Sequence, residues 1–114
     1  MDIKNIQKQL SDFADERDWD QFHNPKNLAM ALSVEASELV EIFQWLTPEQ
    51  AEAVMSSSES DHVKEEMADI MIYLIRMADK LNVDLENAVT DKIVKNGKRY
   101  PVSLSKGNAK KITI

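Results

Sequence analysis

The sequence predicts an all-α protein, and three observations carry that expectation. Strong helix formers (Ala, Leu, Met, Glu, Lys) are plentiful, whereas the 114 residues include only 2 glycines and 3 prolines. Apolar residues recur at helical rather than alternating spacing. Helix-start signals at Asp2, Asn24-Pro25, Thr47-Pro48 and Asp84 each precede such a run.

Taken in order, Asp2 caps a first helix in which Ile3, Ile6, Leu10 and Phe13 form the buried face, up to about Glu16 or Arg17. The stretch RDWDQFHN, Arg17 to Asn24, reads as a loop rich in aromatics. Phe22 there is a hydrophobic plug, while Trp19 and His23 can frame a flat ligand by stacking and hydrogen bonding. Asn24-Pro25 opens a second helix expected to reach Trp45 or Leu46. Thr47-Pro48-Glu49-Gln50 has the form of a capping box and starts a short helix through about Met55. Ser56 to Ser60 is a polar break, and a third long helix follows from Ser60 or Asp61 to Leu81. Asp84 caps a fourth, with Leu85, Ala88, Val89 and Ile93 inward and Gly97 as its expected stop. Residues 1–101 read as one helical domain, and residues 102–114 as a basic tail.

Two carboxylate pairs stand out within this pattern, Glu35-x-x-Glu38 on the second helix and Glu66-x-x-Asp69 on the third. Residues three apart share a helix face, so each pair presents its oxygens together. Glu35 falls in the middle of the apolar stripe Leu28, Leu32, Leu39, Ile42 and Leu46. Glu66 flanks the stripe Val63, Met67, Ile70, Leu74, Met77 and Leu81, with Asp69 one step further round. Ionised carboxylates on core-facing stripes are costly unless paired or bound to a metal. Four of them converging from two facing helices would hold a divalent cation, and an all-oxygen set suits Mg²⁺, with Mn²⁺ as a substitute, better than Zn²⁺.

Lys92, Asn96 and Arg99 share one face of the fourth helix, at spacings of four and three. Opposite an acidic metal cluster they would clamp phosphate. The net charge of −6 argues against duplex nucleic acid as a partner, but a triphosphate remains acceptable once metal ions neutralise the acids locally. The apolar runs are broken by Glu35, Glu38 and Asp69, so no membrane span is expected, and the lack of cysteine fits a cytoplasmic protein.

These residues resemble the all-α NTP pyrophosphohydrolases, which include MazG-like proteins and dimeric dUTPases. The resemblance rests on the two carboxylate pairs together with Lys92-x-x-x-Asn96-x-x-Arg99-Tyr100-Pro101. Within the family the sequence is most similar to the dCTP pyrophosphatase branch, most densely in RDWDQFHNPKNLAMAL, ELVEIFQW, IMIYL and VDLENAV. The resemblance implies a four-helix bundle protomer, a homodimer or homotetramer built as a dimer of dimers, and Mg²⁺-dependent cleavage of a nucleoside triphosphate to monophosphate and pyrophosphate. It implies metal binding by Glu35, Glu38, Glu66 and Asp69, phosphate contacts by Lys92, Asn96 and Arg99, and a nucleoside pocket shaped by Trp19, His23, Trp45 and Tyr73. Glu35 or Glu38 is the expected water-orienting group. Leu10 stands near a position where dCTP-selective relatives carry a His, so the expected range extends to related dNTPs. House-cleaning of the nucleotide pool is a role compatible with that chemistry.

Two rival readings have different sequence requirements. A helical interaction or regulatory module would need only solvated acids, and would show no saturable binding of Mg²⁺ with a dNTP. A ferritin-like di-iron protein needs Glu-x-x-His on two helices, and only Glu59-x-x-His62 is present.

Overall fold

The computed structural model describes Met1–Ile112, and every described element is helical. The order is α1 (Ile3–Glu16), α2 (Pro25–Phe43), α3 (Pro48–Glu52), α4 (Ser60–Leu81), α5 (Leu85–Arg99) and α6 (Val102–Ser105). Single 3₁₀ turns occur at Asp20–Phe22 and Val54–Ser56. Four of the helices are long, and the short α3 lies between the second and third of them, as the capping signals predict.

The start signals act as side-chain caps. Asp2 Oδ1 accepts from the Asn5 amide, Asn24 Oδ1 from Asn27 and Asp84 Oδ1 from Asn87. Thr47 and Gln50 form a reciprocal capping box, in which the Gln50 amide donates to Thr47 Oγ1 and the Thr47 amide to Gln50 Oε1. Such caps are each worth about 1 kcal/mol, which matters most for a helix as short as α3.

Helix ends depart from expectation in three places, the first being α3, which stops at Glu52 and gives way to the 3₁₀ turn Val54–Ser56 where the helix is expected to reach about Met55. α2 stops at Phe43, two residues short, because the next signal, Thr47-Pro48, already requires an extended backbone at Thr47. α5 runs through Gly97 to Arg99 instead of stopping there. A helix-interior glycine costs only about 1 kcal/mol, and nothing at Gly97 calls for a left-handed turn. The expected tail contains the short helix α6, and its last two residues, Thr113 and Ile114, lie outside the described residues.

The chain forms two compact units, Met1–Asn82 and the residues from Val83 onward. In the first, α4 packs along α2 and against α1. Leu28 of α2 and Ile75 of α4 are its most enclosed large side chains, each 1% exposed. The inner line of α4 runs through Val63, Glu66, Ile75, Arg76 and Ala78, while Met67 and Leu81 are exposed. The stripe expected from apolar residues alone is therefore rotated, because α4 has two helical neighbours and turns a wider face to them. That rotation carries Glu66 from the flank into the interior. Among the described residues, no helix is long and apolar enough to cross a membrane.

Candidate active site

The acids of α2 and α4 meet where these helices pack. Glu35, Glu38 and Glu66 each offer a carboxylate oxygen, all within 4.8 Å of one another. Glu66 is buried, at 7% exposure, and Glu35 and Glu38 are half-buried. One oxygen of Glu35 and one of Glu66, Oε2 in both, is enclosed without a hydrogen-bond partner.

This concentration of charge marks Glu35. A hydrogen bond to the Glu66 carboxylate, burial, and the adjacent Glu38 carboxylate push its pKa up to about 7. Carboxylates gathered this closely, two of them with an enclosed and unpartnered oxygen, need something positive among them, and either a proton or a cation would meet that need. The donor set is oxygen only, so the residues present fit a hard divalent ion.

Asp69, expected as a fourth member, is not in this group of three. One turn beyond Glu66, it lines a neighbouring cavity of about 390 Å³ together with Leu10, Phe13, Trp19, His23, Ile72, Tyr73 and Arg76. The displacement follows from the rotation of α4: what turns Glu66 inward turns Asp69 toward α1 and the loop after it. The charges of Glu35 and Asp69 still reach the cavity, since after burial they are the causes that raise the Tyr73 phenol above its ordinary pKa.

The loop before α2 supplies the aromatic wall. α1 ends in a Schellman motif, with the Trp19 amide donating to the Ala14 carbonyl at 2.8 Å and the Asp18 amide to Asp15 at 3.1 Å. Asp18 occupies the left-handed position at φ 54°. The reversal brings Trp19 edge-on to Phe13, with ring centroids 5.8 Å apart. His23 and Asp20 are then fastened to α4. Arg76 donates from Nε to His23 Nδ1 at 3.3 Å and from Nη2 to Asp20 Oδ1 at 2.7 Å, and Lys80 also binds Asp20.

Of the expected nucleoside-site residues, Trp19, His23 and Tyr73 thus share one cavity. Trp45 does not. It lies beyond the end of α2 and is 86% exposed. Lys92, Asn96 and Arg99 lie on α5 in the second unit. Lys92 and Asn96 are exposed there, whereas Arg99 is half-buried, donates from Nε to the Ile112 carbonyl and lies 5.4 Å from the centre of the Tyr100 ring.

Sequence reasoning passed over Arg76 and gave no site role to His62. Arg76 belongs to the row Asp69, Tyr73, Arg76, Lys80 at helical spacing, a charged line that the search for apolar stripes ignores. His62 lies between two acids, Nδ1 3.0 Å from Glu59 Oε2 and Nε2 3.5 Å from Glu66 Oε1. Its hydrogen bond to Glu59 is the first cause of a raised pKa.

Similarity to known proteins extends over most of the chain. Residues 30–113 match the model of the MazG-like family. The chain is 45% identical over 112 residues to dCTP pyrophosphatase 1 of Bos taurus and 41% identical to dCTP pyrophosphatase 1 of Homo sapiens, alignments that include 97% of this chain and 66% of each relative. The chain therefore spans just under two thirds of the length of these relatives. Its fold is similar to the crystal structure of a pyrophosphatase from Archaeoglobus fulgidus, with a TM-score of 0.82 and 36% identity over 89% of this chain and 94% of that one. With the carboxylates of α2 and α4 inside the matched region, the chain belongs to the MazG-like family.

Proposed function

We propose that the protein is a Mg²⁺-dependent pyrophosphohydrolase that cleaves a deoxynucleoside triphosphate, dCTP or a related dNTP, to the monophosphate and pyrophosphate. The observation that carries this reading is the junction of two features: three carboxylates from facing helices, and an aromatic-walled cavity next to them. A flat base with a charged phosphate chain needs both kinds of surface at once. The similarity to proteins named dCTP pyrophosphatase 1 supports the choice of substrate.

In this reading Glu35, Glu38 and Glu66, joined by Asp69 from the cavity wall, hold Mg²⁺. When bound, the ion supplies positive charge against the phosphate oxygens and the transition state. Trp19 and Tyr73 flank the base and His23 hydrogen-bonds to it. Glu35 or Glu38 orients the water that attacks the α-phosphorus. Lys92, Asn96 and Arg99 receive the phosphates and stabilise departing pyrophosphate. Glu38→Gln should lower kcat about a hundredfold or more, a loss of roughly 3 kcal/mol of barrier reduction.

Exposed apolar side chains on α2 and α4, among them Val34, Val40 and Met67, support assembly as a homodimer or homotetramer, which light scattering would measure. We assign the protein to the cytoplasm, where the dNTP pool and a cysteine-free chain are both at home. The deciding experiment is a panel of dNTPs and NTPs with Mg²⁺, scored for pyrophosphate against orthophosphate. Orthophosphate as the first product would mean a different reaction, and no product from any triphosphate would remove the enzymatic reading.

A further inference from the structure

We propose that Arg76 is a positioning residue, which holds His23 in the tautomer protonated on Nε2 so that the cavity offers a hydrogen-bond donor to an acceptor atom of the bound nucleoside. The inference rests on the nucleotide reading above and adds to it a reason for a buried arginine.

The argument starts from which groups can donate. A guanidinium has five N–H donors and no acceptor, so the 3.3 Å contact between Arg76 Nε and His23 Nδ1 has one possible polarity, with Nδ1 accepting. An Nδ1 that accepts carries no proton, and a neutral imidazole then carries its proton on Nε2. Burial, followed by the charge of Arg76, lowers the pKa of His23 and favours that neutral ring. Among the described residues no group hydrogen-bonds to Nε2, while His23 and Arg76 both line the cavity with Trp19 and Tyr73.

Arg76 is equipped to act as a fixed reference. It is 4% exposed, its Nη2 is 2.7 Å from Asp20 Oδ1 and its Nη1 is 3.6 Å from Asp79 Oδ2. With two nitrogens engaged by carboxylates, the planar fork cannot rotate away from His23 without giving up an ion pair. The ion pairs alone would account for a structural strut. The third nitrogen, placed against an imidazole in the cavity wall, is what a strut leaves unexplained. Reversal of the tautomer would turn the free ring nitrogen into an acceptor, which would repel the base acceptor it now suits.

The test reads the tautomer directly and its consequence separately. In protein labelled with ¹⁵N-histidine at pH 7, with the two histidines distinguished by His23→Gln, His23 should show a pyridine-like Nδ1 and a pyrrole-like Nε2. In Arg76→Met the same ring should become a mixture of tautomers. With dCTP and Mg²⁺, Arg76→Met should raise KM about tenfold while kcat changes much less, the size expected for one hydrogen bond lost. In a His23→Ala background the Arg76 substitution should leave KM where His23→Ala has put it, the signature of two residues acting as one unit. A wild-type His23 protonated on Nδ1, or on both nitrogens, overturns the proposal even if Arg76→Met fails to fold. A shifted tautomer with unchanged KM, or equal KM effects of Arg76→Met with and without His23, overturns it too. Failure of the wild-type protein to release pyrophosphate would sink the enzymatic reading and leave the spectrum to be judged on its own.

Discussion

Glu35 on α2 and Glu66 on α4 each enclose a carboxylate oxygen that no hydrogen-bond donor reaches, and carboxylate oxygens of the two residues come within 4.8 Å of each other. Ordinary core packing would not retain such a pair, since the low local dielectric strengthens the repulsion that water would otherwise screen. The neighbouring Glu66 carboxylate, burial and the Glu38 carboxylate push the Glu35 pKa up to about 7, so protonation is one way the metal-free cluster can shed charge. A divalent ion held by these carboxylates would compete with protonation and offset the same charge. If Mg²⁺ binds there, as we propose, the cluster is a local instability that the ion relieves.

Glu66→Gln tests this directly. The substitution removes one charge and supplies an amide donor for Glu35, so in EDTA the variant should be as stable as the wild type or more stable. Addition of Mg²⁺ should then stabilise the wild type, by about 2.7 kcal/mol at a hundredfold excess over its dissociation constant, and leave the variant almost unmoved. Pyrophosphate release should fall about a hundredfold or more. Thermal unfolding with and without Mg²⁺ is the measurement, and a variant with the full Mg²⁺ gain would show that the ion binds elsewhere.

Asp20 predicts how the loop that carries Trp19 and His23 responds to acid. The Lys80 hydrogen bond and the neighbouring charges of Lys80 and Arg76 outweigh burial and hold its pKa below the ordinary carboxylate range. A carboxylate with a depressed folded-state pKa contributes stability that is complete above the unfolded value and is lost as pH falls through the folded one. The stability difference between wild type and Asp20→Asn should therefore be constant from about pH 5 to 7 and shrink only below about pH 4. Urea unfolding across that range measures it, and a difference that disappears near neutral pH would remove Asp20 as the anchor.

How much of this was legible in the sequence depends on whether a feature is local. Caps at Asp2, Asn24, Thr47 and Asp84 involve residues three apart, so the helix starts could be read directly. The inward place of Glu35 followed from its stripe, because α2 has one dominant neighbour in its unit. Glu66, Asp69 and Met67 were harder, since the rotation of α4 is set by contact with both α1 and α2, which no single helix pattern encodes. The same reason hid the Arg76 to His23 and Asp20 contacts, which join residues 53 and 56 positions apart. For Trp45 only the family resemblance suggests a role, and its own helix ends before it.

Asp18 offers a test of how backbone conformation places an aromatic. It is the left-handed residue of the motif that ends α1, at φ 54°, and its side chain and carbonyl also accept from Gln21 Nε2. Asp18→Gly removes the steric cost of that conformation and should be neutral or stabilising by up to about 1 kcal/mol. Asp18→Val places a β-branched side chain where φ must be positive and should cost more than 1 kcal/mol, as a rough figure. It should also disturb Trp19, one residue on, so fluorescence of Trp19 in a Trp45→Phe background should shift for Val and not for Gly. Equal stability of the two variants would show that the turn adapts without its left-handed residue.

The phosphate-contact proposal on α5 is best tested at Lys92, because Arg99 has local duties. Arg99 donates to the Ile112 carbonyl and lies over Tyr100, so its removal would mix loss of binding with loss of structure. Lys92 is exposed and, among the described residues, forms no ion pair. Lys92→Ala should leave the melting temperature within experimental error while raising KM for the dNTP about tenfold, the value of one charge-assisted contact to phosphate. Because solvent ions screen such a contact, the gap between wild type and variant should narrow as salt rises. Steady-state kinetics at low and high ionic strength measure both effects. A KM that does not respond to the substitution at low salt would remove Lys92 from the phosphate site and leave it a solvated helix lysine.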